Sequence, residues 1–188
     1  MAKCVGCSRP GQEVKPLVNM FGAVIILLAS TLAGFYKARQ YALRPRQLRE
    51  LIAALQRLMT EINYGLTPLP DAMGKMGAQT KEPVKTLFLH AASQMEPPHG
   101  LTARESLQSG VDLAWGRSAM KADEKEVMLQ LSFSLGTSDR QDQTKHISLA
   151  IQQLMHEESR AQADQMKYER MSRSLGMLVG ALIVILIF

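Results

Sequence analysis

Between residues 36 and 173 the apolar positions recur every three or four residues, and nowhere do they keep the strict two-residue rhythm of a half-buried strand. That spacing predicts six helices. Leu48, Leu51, Ile52, Leu55, Leu58, Met59 and Ile62 share one face of the first, with Pro45 at its start, where the missing N–H has no intrahelical partner to lose. Gly65 ends it, and Pro68 and Pro70 stiffen the turn Gly65-Leu-Thr-Pro-Leu-Pro70. A short second helix over about Leu69–Gln79 carries Leu69, Met73 and Met76. Pro83 suits the first turn of a third, whose apolar face is Val84, Leu87, Phe88, Ala91, Ala92 and Met95, and Pro97-Pro98-His-Gly100 breaks it. The fourth opens at Thr102-Ala-Arg-Glu105 and runs to about Trp115. Its opening has the spacing of a capping box, in which hydroxyl and carboxylate satisfy free amides reciprocally. A fifth spans roughly Ala122–Leu135 with Gly136 as its C-cap, and Ser138-Asp-Arg-Gln141 starts the sixth, again at capping-box spacing.

The sixth helix has no internal stop, because from Asp139 onward there is no proline and the first glycine is Gly176. Ile147, Ala150, Ile151, Leu154 and Met155 give its early turns an apolar side that can pack on the other helices. From His156 to Arg170 the sequence is polar on every face, the pattern of a solvated stalk. Residues 36–173 therefore read as one compact all-α, six-helix domain.

Two uncharged apolar runs flank this domain. Leu17–Phe35 would make a helix of about 28 Å at 1.5 Å per residue, and Tyr36 and Lys37 follow it as interfacial residues. An uncleaved transmembrane helix over 17–35 is expected; a signal peptide with a mature start near Tyr36 is the competing reading. The run 174–188 reaches only about 21 Å, short of the usual span. It is apolar all round and Arg173 can snorkel from its start, so a C-terminal membrane helix is expected, with an interfacial or core helix as the alternative. Within it Gly176 and Gly180 share a helix face and allow close backbone approach. Lys37, Arg39, Arg44, Arg46 and Arg49 precede the first acid of the domain, and Lys167, Arg170 and Arg173 stand before the second run. The positive-inside rule thus places 36–173 in the cytoplasm. Residues 1–16 show no pattern and read as an unstructured extension, with a later start near Met20 as one explanation.

Composition narrows the function further. Lys and Arg number 22 against 17 Asp and Glu, a net charge of +5, and aromatics are 5% of the 188 residues. So slight and scattered an excess, with so few rings for base stacking, gives no nucleic-acid surface. Cys4 and Cys7 are the two cysteines, half of a zinc ligand set and without a thioredoxin-like context. His146 and His156 lie too far apart along one helix to share a metal, and His90 and His99 read as surface or packing residues. No nucleophile elbow, zinc-protease helix or phosphate loop occurs, and Met73-Gly-Lys-Met-Gly77 lacks Walker spacing. Glu157-Glu158 and the charges around Ala122–Glu126 read as solvated faces, and Met59, Met73, Met95 and Met155 as core. No catalytic residue, metal, cofactor or small-molecule substrate is expected, and the chain does not read as an enzyme. What remains is the basic collar Lys37, Arg39, Arg44, Arg46 and Arg49. It faces either anionic membrane lipid, at about 1 kcal/mol per charge near the surface, or an acidic patch on a partner.

The ordered strings Gly22-Ala-Val-Ile-Ile-Leu-Leu-Ala-Ser-Thr-Leu-Ala-Gly-Phe35, Arg44-Pro-Arg-Gln-Leu-Arg49, Thr60-Glu-Ile-Asn-Tyr-Gly-Leu-Thr-Pro-Leu-Pro70, Leu135-Gly-Thr-Ser-Asp139, Gln143-Thr-Lys-His146 and Ser174-Leu-Gly176 resemble the stage III sporulation protein AB family of endospore-forming bacteria, over about residues 20 to 188. That family is similar, in its helical domain, to the inner-membrane platform proteins of type II secretion and type IV pilus machines. The repeated turn-plus-helix at Gly65–Met73 and Gly100–Leu107 resembles their recurring Gly-x-x-Leu motif. The resemblance implies a non-enzymatic membrane platform of a mother cell-to-forespore channel, on the mother-cell side of the outer forespore membrane. It also implies docking of a cytosolic secretion-type ATPase, stage III sporulation protein AA, together with the other proteins of the same operon. Two rivals stand beside it: a two-anchor membrane adaptor tethering a cytosolic partner, and a membrane hydrolase that would depend on His90 or His146.

Overall fold

The spacing that begins at Leu48 forms a helix, but a longer one than its apolar face suggests. The computed structural model describes residues 39–187 except Leu66, Thr137 and Ser138, with the backbone alone described at 65, 169 and 172–187. Met1–Arg39 and Gln40–Phe188 are separate compact units, and the second is the subject here. The expected helix over 17–35, the extension 1–16, Lys37 and the cap at Ser138 lie outside the described residues.

Helix α1 occupies residues 39–60 and widens into a π-turn, Glu61–Gly65. Pro45 therefore sits inside it, not at its start. Proline cannot donate to the carbonyl four residues back, so one ladder bond is lost. Tertiary contacts on both sides, through Tyr41 and Arg44 before it and Leu48 after it, keep the chain helical across the gap. Downstream, Leu48, Leu51, Ala54, Leu55 and Leu58 are each fully buried, which makes α1 the central stave of the core.

The remaining helices follow in chain order: α2 Leu69–Gln79, α3 Val84–Met95, α4 Ala103–Trp115, α5 Ala122–Ser134 and α6 Arg140–Ile187. Each packs on its successor, so most of the core is built from neighbours in sequence. Two loops are tied to α1: Ala119 N–H donates to Gln47 Oε1 at 2.7 Å, and Lys81 N–H donates to Glu50 Oε1 at 3.1 Å. The capping box of α4 forms as its spacing predicts, with Glu105 N–H donating to Thr102 Oγ1 at 3.3 Å and Thr102 N–H to Glu105 Oε2 at 3.1 Å. Leu135 caps α5, and Gly136 follows it with φ +84°, a conformation that favours glycine. Asp139 takes the capping role at α6, its Oδ1 accepting from Asp142 N–H at 2.8 Å. Among the described residues there is no strand, and the all-α, six-helix expectation holds.

One expectation for the end of the chain changes. Through Ile187 the last apolar run continues α6, as the absence of an internal stop predicts, and α6 is 48 residues long and about 72 Å at 1.5 Å per residue. Among the described residues no helix is long and apolar enough to cross a membrane. Nor is His156–Arg170 a free stalk. Ala161 is 1% exposed, Glu157 and Glu158 reach α1, and Tyr168 stacks on Tyr41 with ring centroids 3.9 Å apart. A helix that looks polar all round in sequence is docked here through charges and one small side chain.

Candidate functional site

The five cations of the collar separate once the chain is folded. Lys37 lies outside the described residues, and Arg39 is exposed. Arg49 is more than half exposed and donates from Nε to Glu158 Oε1 at 2.6 Å. Arg46 is exposed and makes no ion pair among the described residues. Arg44 is different: at 4% exposure it is closed to lipid and partner alike, and so leaves the set of candidate surface groups.

Around Arg44 the fold gathers residues from three helices. Its Nε donates to Glu124 Oε1 at 2.8 Å, its Nη2 to the same carboxylate and to Glu157 Oε2 at 3.1 Å, and its Nη1 to Asp164 Oδ2 at 3.5 Å. Glu124 is fully buried and also accepts from Lys121 N–H, the backbone amide just ahead of α5. Lys121 Nζ approaches Asp164 at 3.6 Å, and Arg160 Nη1 meets Glu157 Oε1 at 3.0 Å. Three cations thus face three carboxylates, so the cluster is neutral and the buried carboxylate has several donors. Burying a charge costs several kcal/mol unless it is so compensated. This arrangement therefore locks α1, α5 and α6 in one register. Sequence reading placed Glu124, Glu157 and Glu158 on solvated faces; the only available signal was that Glu124 lies three residues after Lys121 at a helix start, a capping position.

The other candidates find modest roles. His90 Nε2 and Ser109 Oγ are 2.9 Å apart across α3 and α4, and His99 is exposed in its turn. His146 is exposed on α6, and His156 borders a groove between α5 and α6. Among the described residues no three His, Cys, Asp or Glu are placed to hold a metal ion. Met73 is fully buried, Met59 and Met95 are partly buried against the core, but Met155 is 51% exposed. Its position adjoins the face of Ile151 and Leu154 without sharing their burial. Gly176 and Gly180 lie within the helical backbone of α6.

Three similarities to known proteins bear on what this arrangement serves. A family model described as stage III sporulation protein AB matches residues 19–188. The stage III sporulation protein AB of Bacillus subtilis (strain 168) is 39% identical over 171 residues, covering 91% of this chain and 99% of that protein. A solved structure of a stage III sporulation protein AB superposes with TM-score 0.63 at 38% identity, over 66% of this chain and 98% of that one.

Proposed function

Because the chain belongs to the stage III sporulation protein AB family, and so to a sporulation protein of that stage, we propose that it acts as a non-enzymatic membrane platform. In this reading residues 17–35 cross the membrane, the apolar end of α6 embeds in it as well, and the helical domain stands on the cytoplasmic, mother-cell side of the outer forespore membrane. There it docks a cytosolic secretion-type ATPase, of the stage III sporulation protein AA kind, within a channel complex built by proteins of its operon. Similarity of the domain to type II secretion platforms is part of the same proposal.

The stacking of Tyr41 on Tyr168 carries the reading. Tyr41 lies six positions after Phe35, and Tyr168 six positions before Ser174. The two points where the chain enters and leaves the polar domain therefore touch. A body hung on a bilayer at both ends needs that arrangement, and a helix pair clamped by the buried Arg44 cluster supplies a rigid stem for it.

The test uses sporulating cells. After an alkaline carbonate wash the full chain is expected to sediment with membranes, to resist protease added outside intact protoplasts, and to bring the ATPase with it on mild detergent purification. Release by carbonate or digestion from outside overturns the topology. A stable membrane protein that recovers no ATPase or sister component reduces the role to a tethering adaptor.

A further inference from the structure

Cations and anions left over from the internal ion pairs sit on different sides of the α1–α5–α6 junction. At 100° per residue Arg46 lies about 200° round α1 from Arg44, so it points away from the α5 and α6 carboxylates that Arg44 meets. Arg57 is eleven residues further on, within about 20° of the same face and about 16 Å along the axis, with Ala53 between them. Arg46 and Arg57 are both exposed and neither makes an ion pair among the described residues. Lys75 of α2 lines one shallow depression with Arg57. Glu61 lines the same depression and Glu50 borders this face, so the ridge is basic at Arg46 and Arg57, with the small Ala53 between them.

Between α5 and α6 runs an open groove of about 470 Å³. Val127 and Leu149 form its apolar floor, and Leu149 is 55% exposed although it is surrounded by polar residues. Asp123 and Glu126 stand on the α5 rim and make no ion pair among the described residues, while Glu157 on the α6 rim is shared with Arg44 and Arg160. On α6 the lining from Leu149 to Glu157 extends about 12 Å at 1.5 Å per residue, and Asp123 and Glu126 lie about 4.5 Å apart along α5, so the ridge of about 16 Å overhangs the groove and its two arginines must reach inward to meet the acids.

We propose that this groove receives the α1 ridge of a second copy of the chain. Arg46 and Arg57 of one copy pair with Asp123 and Glu126 of the next, and Ala53 lets the α1 backbone come down on Leu149, a helix laid into an apolar-floored groove. Ridge and groove lie on different sides of the clamp, so one molecule cannot join its own. The contact is head-to-tail, a pair keeps one free ridge and one free groove, and the assembly closes as a ring or grows as a filament. The platform reading neither requires this contact nor supplies it.

Charge exchange on the full chain in mild detergent tests the pairing, with size read by light scattering and folding by circular dichroism. The wild type is expected to self-associate at low salt and to dissociate as salt rises. Arg46→Glu with Arg57→Glu, and separately Asp123→Lys with Glu126→Lys, should each weaken association by on the order of tenfold or more without loss of helix content, because like charges then meet. Mixing the two variants should restore it, since each ridge again finds a groove of opposite sign. A wild type that stays monomeric at low salt, variants that associate as it does, or a mixture that fails to recover would each overturn the pairing. If the ridge variant instead loses binding to phosphatidylglycerol vesicles and the mixture does not rescue association, the ridge serves lipid and the inference is wrong. Carbonate extraction reads the anchors alone, so failure here is separable from failure of the platform reading.

Discussion

Glu124 is fully buried beside Lys121, at the start of α5, and Arg44 is the group that makes that burial tolerable. Arg44→Met leaves the carboxylate with one backbone donor, and should cost about 3–5 kcal/mol as an uncompensated buried charge. Arg44→Met combined with Glu124→Leu should recover most of that loss, because neither charge then has to be desolvated. Urea unfolding followed by Trp115 fluorescence, run as a double-mutant cycle, measures both effects; additive losses would show that the two residues are not coupled. A second residue-scale effect sits at the exposed cap of α4. The Thr102 hydroxyl donates to Glu105 at 2.7 Å, and with the Thr102 amide and the nearby Arg104 charge it holds the Glu105 carboxyl below its ordinary pKa. A lowered value means that the cap contributes fully above the unfolded pKa and fades as pH falls through the folded one. Glu105→Gln should thus lower the melting temperature at neutral pH, with the gap from wild type closing on acidification below the folded value.

At the scale of elements, close packing of consecutive helices sets how much each can change. A Cβ on Gly110 of α4 would lie 2.5 Å from the Leu87 carbonyl of α3, whereas one on Gly74 of α2 would meet Ala92 Cβ at an ordinary 3.9 Å. Gly110→Ala is therefore expected to push α3 and α4 apart and destabilise by roughly 1–3 kcal/mol, an overpacking cost. Gly74→Ala should stabilise by about 0.5–1 kcal/mol, through lower chain entropy in a helix interior. Calorimetric melting of the two variants, with opposite signs, checks the α3–α4 contact directly. Helices α2 to α5 were legible almost to the residue, because Pro83, the Thr102–Glu105 box and Gly136 are local stop and start signals. The start of α1 was not. Pro45 is a start signal by local rules, and contacts distant in sequence override it.

For the molecule as a whole, the decisive contacts join residues far apart in the chain. Tyr41 meets Tyr168, Arg49 meets Glu158, and Arg44 collects acids from positions 124, 157 and 164. They bring the two ends of the polar domain together, the feature on which the platform proposal depends. The candidate collar was only partly legible for the same reason: five cations before any acid say that the region is basic, but not which of them face solvent. Periodicity, caps and turn residues are local, so the amino-acid order by itself determined that the described residues are helical, how many helices they form, and where the apolar runs of the sequence lie. Which charges are buried and which are left to meet another molecule was decided only by tertiary packing, because a charged side chain carries no mark of the partner that will neutralise it.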